Sequence, residues 1–338
     1  MVRRPARARA LGLLVLLAVL VVVAVLSVAL GSRVVGWDAV LDGVRAAFGG
    51  TPEGFDQAAV AKRLPRTVLA LVAGAGLGVA GVVMQGVTRN PLADPGILGV
   101  NTGASLAVVV AMSWTGLSTA RGYVGAAILG AAVTAAVVYT IGSLGGGGAT
   151  PLKLALAGAA TSAALSSFIS AIVLGRNDLG ENVQSWQIGG VGGGSWSQLA
   201  VVWPFLLVGG AICLLSARGL NLLALGDDLA AGLGQRVALV RAAASLGAVV
   251  LCGAVTAVAG PIGFVGLVVP HLCRLLVGVD HRWLLPFSAL AGAVLLTGAD
   301  VLGRLVARPE EIAVGIITAF LGAPFFVWVV RRRTVGAL

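Results

Sequence analysis

Side chains that could do chemistry are scarce in this 338-residue chain, and their spacing excludes most of it. Lysine occurs only at Lys62 and Lys153, and neither follows a glycine, so the phosphate-cradling pattern G-x-x-x-x-G-K-[ST] is absent. The chain therefore has no P-loop with which to hydrolyse ATP. Cys213, Cys252 and Cys273 stand singly in apolar stretches, and His271 and His281 are ten positions apart. That is not the spacing of a zinc or iron site, nor of a disulfide framework. No paired carboxylates and no nucleophile with its base can be assembled, which argues against an enzyme. Neither a cofactor nor a protein-held metal is expected.

What remains is arginine. Lys and Arg total 23 against 13 Asp and Glu, a formal charge of +10. In a soluble protein such an excess would suggest nucleic acid as a partner. Here 58% of residues are hydrophobic and only 11% charged, where soluble domains carry about a quarter. The apolar residues lie in long charge-free runs, the mark of an all-α protein whose helices use lipid as solvent. No nucleic-acid partner is expected; the partner is the bilayer.

The basic segment 1–10 is followed by apolar Leu11 to Leu30, too long for a signal-peptide core of about 7–15 residues, so it reads as an uncleaved first helix. Ala29 and Gly31 leave a weaker cleavage reading open. Further charge-free stretches run over 67–88, 95–120, 122–152, 154–175, 182–217, 242–273, 283–299 and 312–330. The stretch 242–273 has 32 residues, about 48 Å as a helix, and overshoots a ~30 Å hydrocarbon core. Gly260-Pro261 divides it into helices near 237–259 and 261–277, giving about ten crossings in one transmembrane domain spanning 1–338. With the N-terminus inside, 14 basic and 4 acidic residues fall on the cytoplasmic side, and the outer side is neutral with 9 of each. The whole excess charge then obeys the positive-inside rule, with both termini, including the tail 331–338, in the cytoplasm. Among the fifty glycines, Gly74, Gly78 and Gly81 line one candidate helix-packing face.

Several segments depart from generic spans: RLPRT at 63–67, MQGVTRNPLADPGILGVNTGAS at 84–105, LNLLALGDDLAAGLGQR at 220–236, GPIGFVGLVVPHLCRLLVGVDHRW from 260, and EEIAVGIITAFLGAPFFVWVVRRR from 310. In this order they closely resemble the FecCD family, permease subunits of ABC importers for iron-siderophore complexes, haem and cobalamin. The resemblance implies a type II ABC importer permease fold of ten helices. It further implies a second permease subunit, identical or related, two cytoplasmic ABC ATPase subunits below, and an extracytoplasmic substrate-binding protein above. Ferric siderophore is the most frequent family cargo, with cobalamin and haem as alternatives. An ion-coupled secondary transporter is the rival from another class, but it would need broken helices and buried charges at the midplane, and the sequence lacks midplane acidic residues.

The resemblance also places roles. Segment 219–236 matches the coupling segment, read as two short helices around Gly226, with Leu225, Gly226, Asp227, Asp228, Leu229 and Gly234 meeting the ATPase. Asp227 and Asp228 would sit at a helix N-terminus, where the dipole favours carboxylates. Arg63, Arg66 and Arg304 match arginines that grip acidic residues of the binding protein, a task that suits a planar bidentate fork. Lipid anchoring or local pairing is the alternative, and Arg304 has Asp300 at i,i+4. Asn90 and Leu92 match the inner gate, with the glycine run 145–148 before Thr150 as a hinge or a passive turn. Thr161, Ser162 and Ser166 could line the path or bond their own helix. His271 and Arg274 read as structural, with Arg274 snorkelling or satisfying carbonyls freed by Pro270. The glycine- and Trp-rich loop at 186–196 reads as a re-entrant segment or an interfacial anchor.

Overall fold

The computed structural model describes residues 6–47, 50–96, 98–114, 119–144, 150–176 and 180–334. The glycine run 145–148 lies outside them. The described residues form helices only: α1 (Ala6–Ala29), α2 (Trp37–Ala47), α3 (Phe55–Thr88), α4 (Val100–Trp114), α5 (Ala120–Ser143), α6 (Pro151–Leu174), α7 (Gly180–Gln187), α8 (Trp196–Leu215), α9 (Ala217–Leu223), α10 (Asp227–Gly232), α11 (Val237–Ala259), α12 (Val265–Val277), α13 (His281–Val306) and α14 (Val314–Thr334). Seven are long and apolar enough to cross a membrane, and α4, α12 and α14 are shorter apolar helices. Together these ten coincide one for one with the ten stretches expected from hydropathy. The protein is a multi-pass membrane protein.

Burial sorts the spans into an inner and an outer layer. In the most apolar window of α3, 78% of residues are buried, against 6% in α1, which lies at the rim. Helix α3 is central because it is narrow along one face. Gly74 abuts the Gly292 carbonyl, Gly78 abuts the Ser288 carbonyl, and Gly81 abuts Gly266, so no Cβ could be accommodated at any of the three. In lipid, where no hydrophobic force drives helices together, this close backbone approach is what van der Waals packing requires.

The predicted break in the stretch 242–273 falls between α11 and α12. Gly260 adopts φ 67°, and a side chain there would strike the Trp186 carbonyl. Phe264 is also left-handed, at φ 67°. Backbone groups freed at membrane depth need partners. Asn101 Nδ2 donates to Ile262 O at 3.4 Å, Gln85 Nε2 donates to Gly266 O at 3.1 Å, and Gly190 N–H donates to Ala259 O at 2.7 Å. The stretch 182–217 also divides: α7 ends at Gln187, and a non-helical loop lies before α8. That loop docks inward, with Gly315 N–H donating to Gly189 O at 3.0 Å, so it is packed onto the break between α11 and α12 and onto α14.

Candidate functional site

The arginines at one end of the bundle converge although they come from distant parts of the chain. Arg66 grips Asp300 with Nε at 3.1 and 3.2 Å and Nη2 at 2.7 Å, and its Nη1 donates to Glu311 Oε2 at 2.6 Å. Arg304 Nη2 approaches Asp300 at 2.9 Å, so one carboxylate, 1% exposed, serves two guanidiniums. The i,i+4 pair seen in the sequence is thus present, with a third member that spacing did not reveal.

The same arginines close the end of α1. Arg304 Nη1 donates to the carbonyls of Ser27 and Leu30, both at 2.9 Å, and Arg63 donates to those of Ala29 at 2.9 Å and Arg33 at 2.7 Å. Arg308 Nε reaches Gly31 O at 3.0 Å. The last carbonyls of a helix have no partner within it and carry the negative end of its dipole, so cations are the natural cap. Arg63 and Arg304 are accordingly buried, at 6% and 1% exposure, whereas the Arg66 side chain keeps 12%. Four arginines meet here: Arg66 pairs with the carboxylates of Asp300 and Glu311 and Arg304 with that of Asp300, while Arg63 and Arg308 donate to backbone carbonyls. Burial alone would raise the Glu311 carboxyl, but hydrogen bonds from Arg66 and Ser32 and the charges of Arg66 and Arg304 hold it below the usual range.

From Arg66 to Thr88, α3 runs about 33 Å at 1.5 Å per residue, enough to cross a hydrocarbon core. At its far end lies the second group of predicted residues. Helices α9 and α10 flank Gly226, which takes φ 113° as the turn between them. Asp227 and Asp228 occupy the first turn of α10, as expected, and Gly234, at φ 81°, follows its last turn. Helix α9 is anchored by Leu220 and Leu223, both fully buried, and by Asn221, which donates to Asp280 at 2.7 Å and accepts from the His281 N–H at 2.9 Å. Burial would raise the Asp280 carboxyl, but hydrogen bonds from Asn221 and the Arg282 N–H and the charges of Arg282 and Arg9 keep it low.

The outer side of this hairpin is apolar and open. Leu225, Leu229 and Leu233 are 54%, 64% and 64% exposed, although the hairpin lies between spans rather than within one. Asp227 turns inward: it forms an ion pair with Arg89 and accepts from Arg241 Nη2 at 3.0 Å, while Asp228 is exposed. Arg89 is the left-handed cap of α3, at φ 50°, from which the chain enters the loop carrying Asn90 and Leu92. Neither arginine partner was legible in the sequence.

That loop is built by two short-range turns: Asn90 Oδ1 accepts from the Leu92 N–H at 3.0 Å, and Asp94 Oδ1 accepts from the Gly96 N–H at 2.7 Å. Leu92 faces a small cavity with Leu267, His271 and Phe325, between α12 and α14. His271 meets Phe325 edge-on at 5.7 Å, and Arg274 donates to the side chain of Gln85, a partner other than the freed carbonyls expected. On α6, Thr150 caps the helix by accepting from the Lys153 N–H at 3.3 Å, while Thr161 and Ser162 are half-buried and Ser166 is exposed. Ser162 lies where a side chain on Gly99 would touch it, so α6 meets the far end of the same loop, whereas Leu92 meets α12 and α14. Of the predicted gate residues, Asn90 and Leu92 therefore lie on this loop and Ser162 meets its far end, without lining the cavity that Leu92 faces.

Comparison with known proteins agrees with this architecture. Residues 19–332 match the FecCD transport family. The chain is 44% identical over 329 residues to the ferric enterobactin transport system permease protein FepD of Escherichia coli (strain K12), covering 97% of each. It is 47% identical to the Fe(3+)-citrate import system permease protein YfmD of Bacillus subtilis (strain 168), covering 80% of each. Among solved structures, the inward-facing conformation of a transporter described as of the metal-chelate ABC type superposes with a TM-score of 0.79 at 31% identity, over 94% of this chain and 98% of that one. Helices, glycine seams and full-length identity agree, and the chain belongs to the FecCD transport family.

Proposed function

We propose that the chain is the membrane-spanning permease subunit of an ATP-binding-cassette importer carrying a ferric chelate, an iron-siderophore complex, across the cytoplasmic membrane. The full-length relationship to the ferric enterobactin permease carries this reading. Haem or cobalamin is the alternative cargo. The subunit contributes the path, and ATP hydrolysis belongs to two separate ATPase subunits. Exposed Leu225, Leu229 and Leu233 on a hairpin outside the spans support an ATPase contact there, because apolar surface that is neither buried nor in lipid calls for a protein partner.

The positive-inside count supports a cytoplasmic position for the hairpin and both termini. The arginine end then faces outward and receives the binding protein. In this reading Arg66 makes the contact, while Arg63 and Arg304, held by the end of α1, sustain the positive potential around it. A second permease subunit, identical or related, completes the path. The loop with Asn90 and Leu92 narrows its inner mouth, and Thr150, Thr161, Ser162 and Ser166 on α6 flank it.

The test is reconstitution with ATPase and binding-protein partners and uptake of radiolabelled ferric siderophore. Uptake should require ATP and all components, and Leu229→Asp should abolish the stimulation of ATP hydrolysis while the chain still inserts. Uptake driven by an ion gradient without the ATPase would overturn the proposal.

A further inference from the structure

At the hairpin end, where α8 stops and α13 begins, a groove of about 420 Å³ opens on the surface of the bundle. Its walls are Leu214 and Leu215, the last residues of α8, together with Leu285, and its mouth carries Arg218 and Arg282. Both leucines point outward, Leu214 at 53% and Leu215 at 84% exposure. Helix α8 has 20 residues, about 30 Å, so it only just spans a hydrocarbon core and its final turn stays at the edge of the acyl region. Arg218 lies in the first turn of α9, beyond that edge, and Arg282 in the first turn of α13. Both guanidiniums thus stand at headgroup depth, directly past a wall of exposed leucine.

Both are exposed, and among the described residues neither forms an ion pair. Asp280, the carboxylate nearest Arg282 in sequence, accepts from Asn221 at 2.7 Å and from the Arg282 backbone N–H at 3.1 Å as the cap of α13, and Asp227, the nearest to Arg218, pairs with Arg89 and Arg241. His281, on the floor of the groove, has Nδ1 bonded to Asn221 at 2.8 Å. The groove therefore combines a hydrocarbon wall with two exposed cations one turn further out that form no ion pair among the described residues, Arg282 also facing the charge of Asp280, and with hydrogen-bonded groups beneath.

We propose that this groove is a binding site for an anionic phospholipid, whose phosphate is held by Arg218 and Arg282 and whose acyl chain lies along Leu214, Leu215 and Leu285. The shared chemistry is a phosphate ester anion. A soluble phosphate would use the arginines but not the leucines, and a soluble protein cannot cover a wall that faces acyl chains. The inference rests on α8 and α13 spanning the bilayer and is independent of which cargo the importer carries.

The experiment is native mass spectrometry of the full chain released from nanodiscs containing equal amounts of phosphatidylglycerol and phosphatidylcholine with the same acyl chains. Selective retention of one phosphatidylglycerol is expected. Arg218→Gln or Arg282→Gln should weaken it about fivefold each, and the pair about thirtyfold, from the usual contribution of one basic residue at a charged leaflet. Arg236→Gln, an exposed basic residue outside the groove, should leave it unchanged. Millimolar inorganic phosphate should not displace the lipid; displacement would show that the site takes free phosphate and overturn the acyl-chain component. Equal retention of the two lipids, or undiminished selectivity in the double variant, overturns the proposal. So does disulfide cross-linking of Leu215→Cys between two copies, which would make the groove a protein interface.

Discussion

Asp300 is the residue whose loss should be felt most at the arginine end. Its carboxylate is 1% exposed and meets Arg66 at 2.7 Å and Arg304 at 2.9 Å. At an effective dielectric near 20, each contact amounts to about 6 kcal/mol of Coulomb attraction before desolvation is subtracted. Substitution Asp300→Asn keeps a hydrogen-bond acceptor but leaves two guanidiniums without their shared counter-charge. Breaking a buried pair from one side costs about 3–5 kcal/mol, a shift of between a hundredfold and a few thousandfold in the unfolding equilibrium. Glu311 offers an internal control. Its side chain is 36% exposed, and an ion pair screened in that way contributes at most about 1 kcal/mol. Unfolding of the purified chain in mixed micelles titrated with sodium dodecyl sulfate, followed by tryptophan fluorescence, measures both. Asp300→Asn should lower stability several times more than Glu311→Gln, and adding Arg304→Gln to Asp300→Asn should recover part of the loss. If Asp300→Asn stays within about 1 kcal/mol of the parent, or if Glu311→Gln matches it, the shared-carboxylate argument fails.

Three further outcomes follow from the same contacts. Gly78→Ala should cost about 1–3 kcal/mol, because its Cβ would collide with the Ser288 carbonyl, whereas Gly210→Ala, with open space around it, should cost nothing in the same unfolding assay. Breaking the ion pairs of Asp227 with Asp227→Ala should change stability by under about 1 kcal/mol yet speed hydrogen exchange in residues 90–99. Unaltered exchange in Asp227→Ala would separate the hairpin from the loop. The Glu311 carboxyl is held below its unfolded value near 4.3, so its stabilisation is complete above that pH and is lost as pH falls through the lower folded value. The stability difference between the parent and Glu311→Gln should therefore shrink below about pH 4, and a constant difference down to pH 3 would refute the assignment.

Hydropathy alone located the seven helices long and apolar enough to cross and the three shorter apolar ones among the described residues, because a membrane helix is defined by what each residue does in lipid and needs no knowledge of its neighbours. Local backbone chemistry was equally legible. The break at Gly260-Pro261 and the pair of short helices around Gly226 depend on residues whose dihedral limits act within a few positions. The Asp300–Arg304 pair was visible for the same reason, since i,i+4 is one helical turn. Tertiary structure decided the rest. Arg66 meets Asp300 and Glu311 across 234 and 245 residues, and Arg89 meets Asp227 across 138, contacts that leave no period or spacing in the chain. Burial of Arg63 and Arg304 was also beyond the sequence, because it depends on where the end of α1 comes to rest, and a guanidinium at a span boundary reads the same whether it faces water, a partner or a row of carbonyls. Short-range forces write themselves into sequence order, whereas charge pairing between helices is fixed only when the bundle closes.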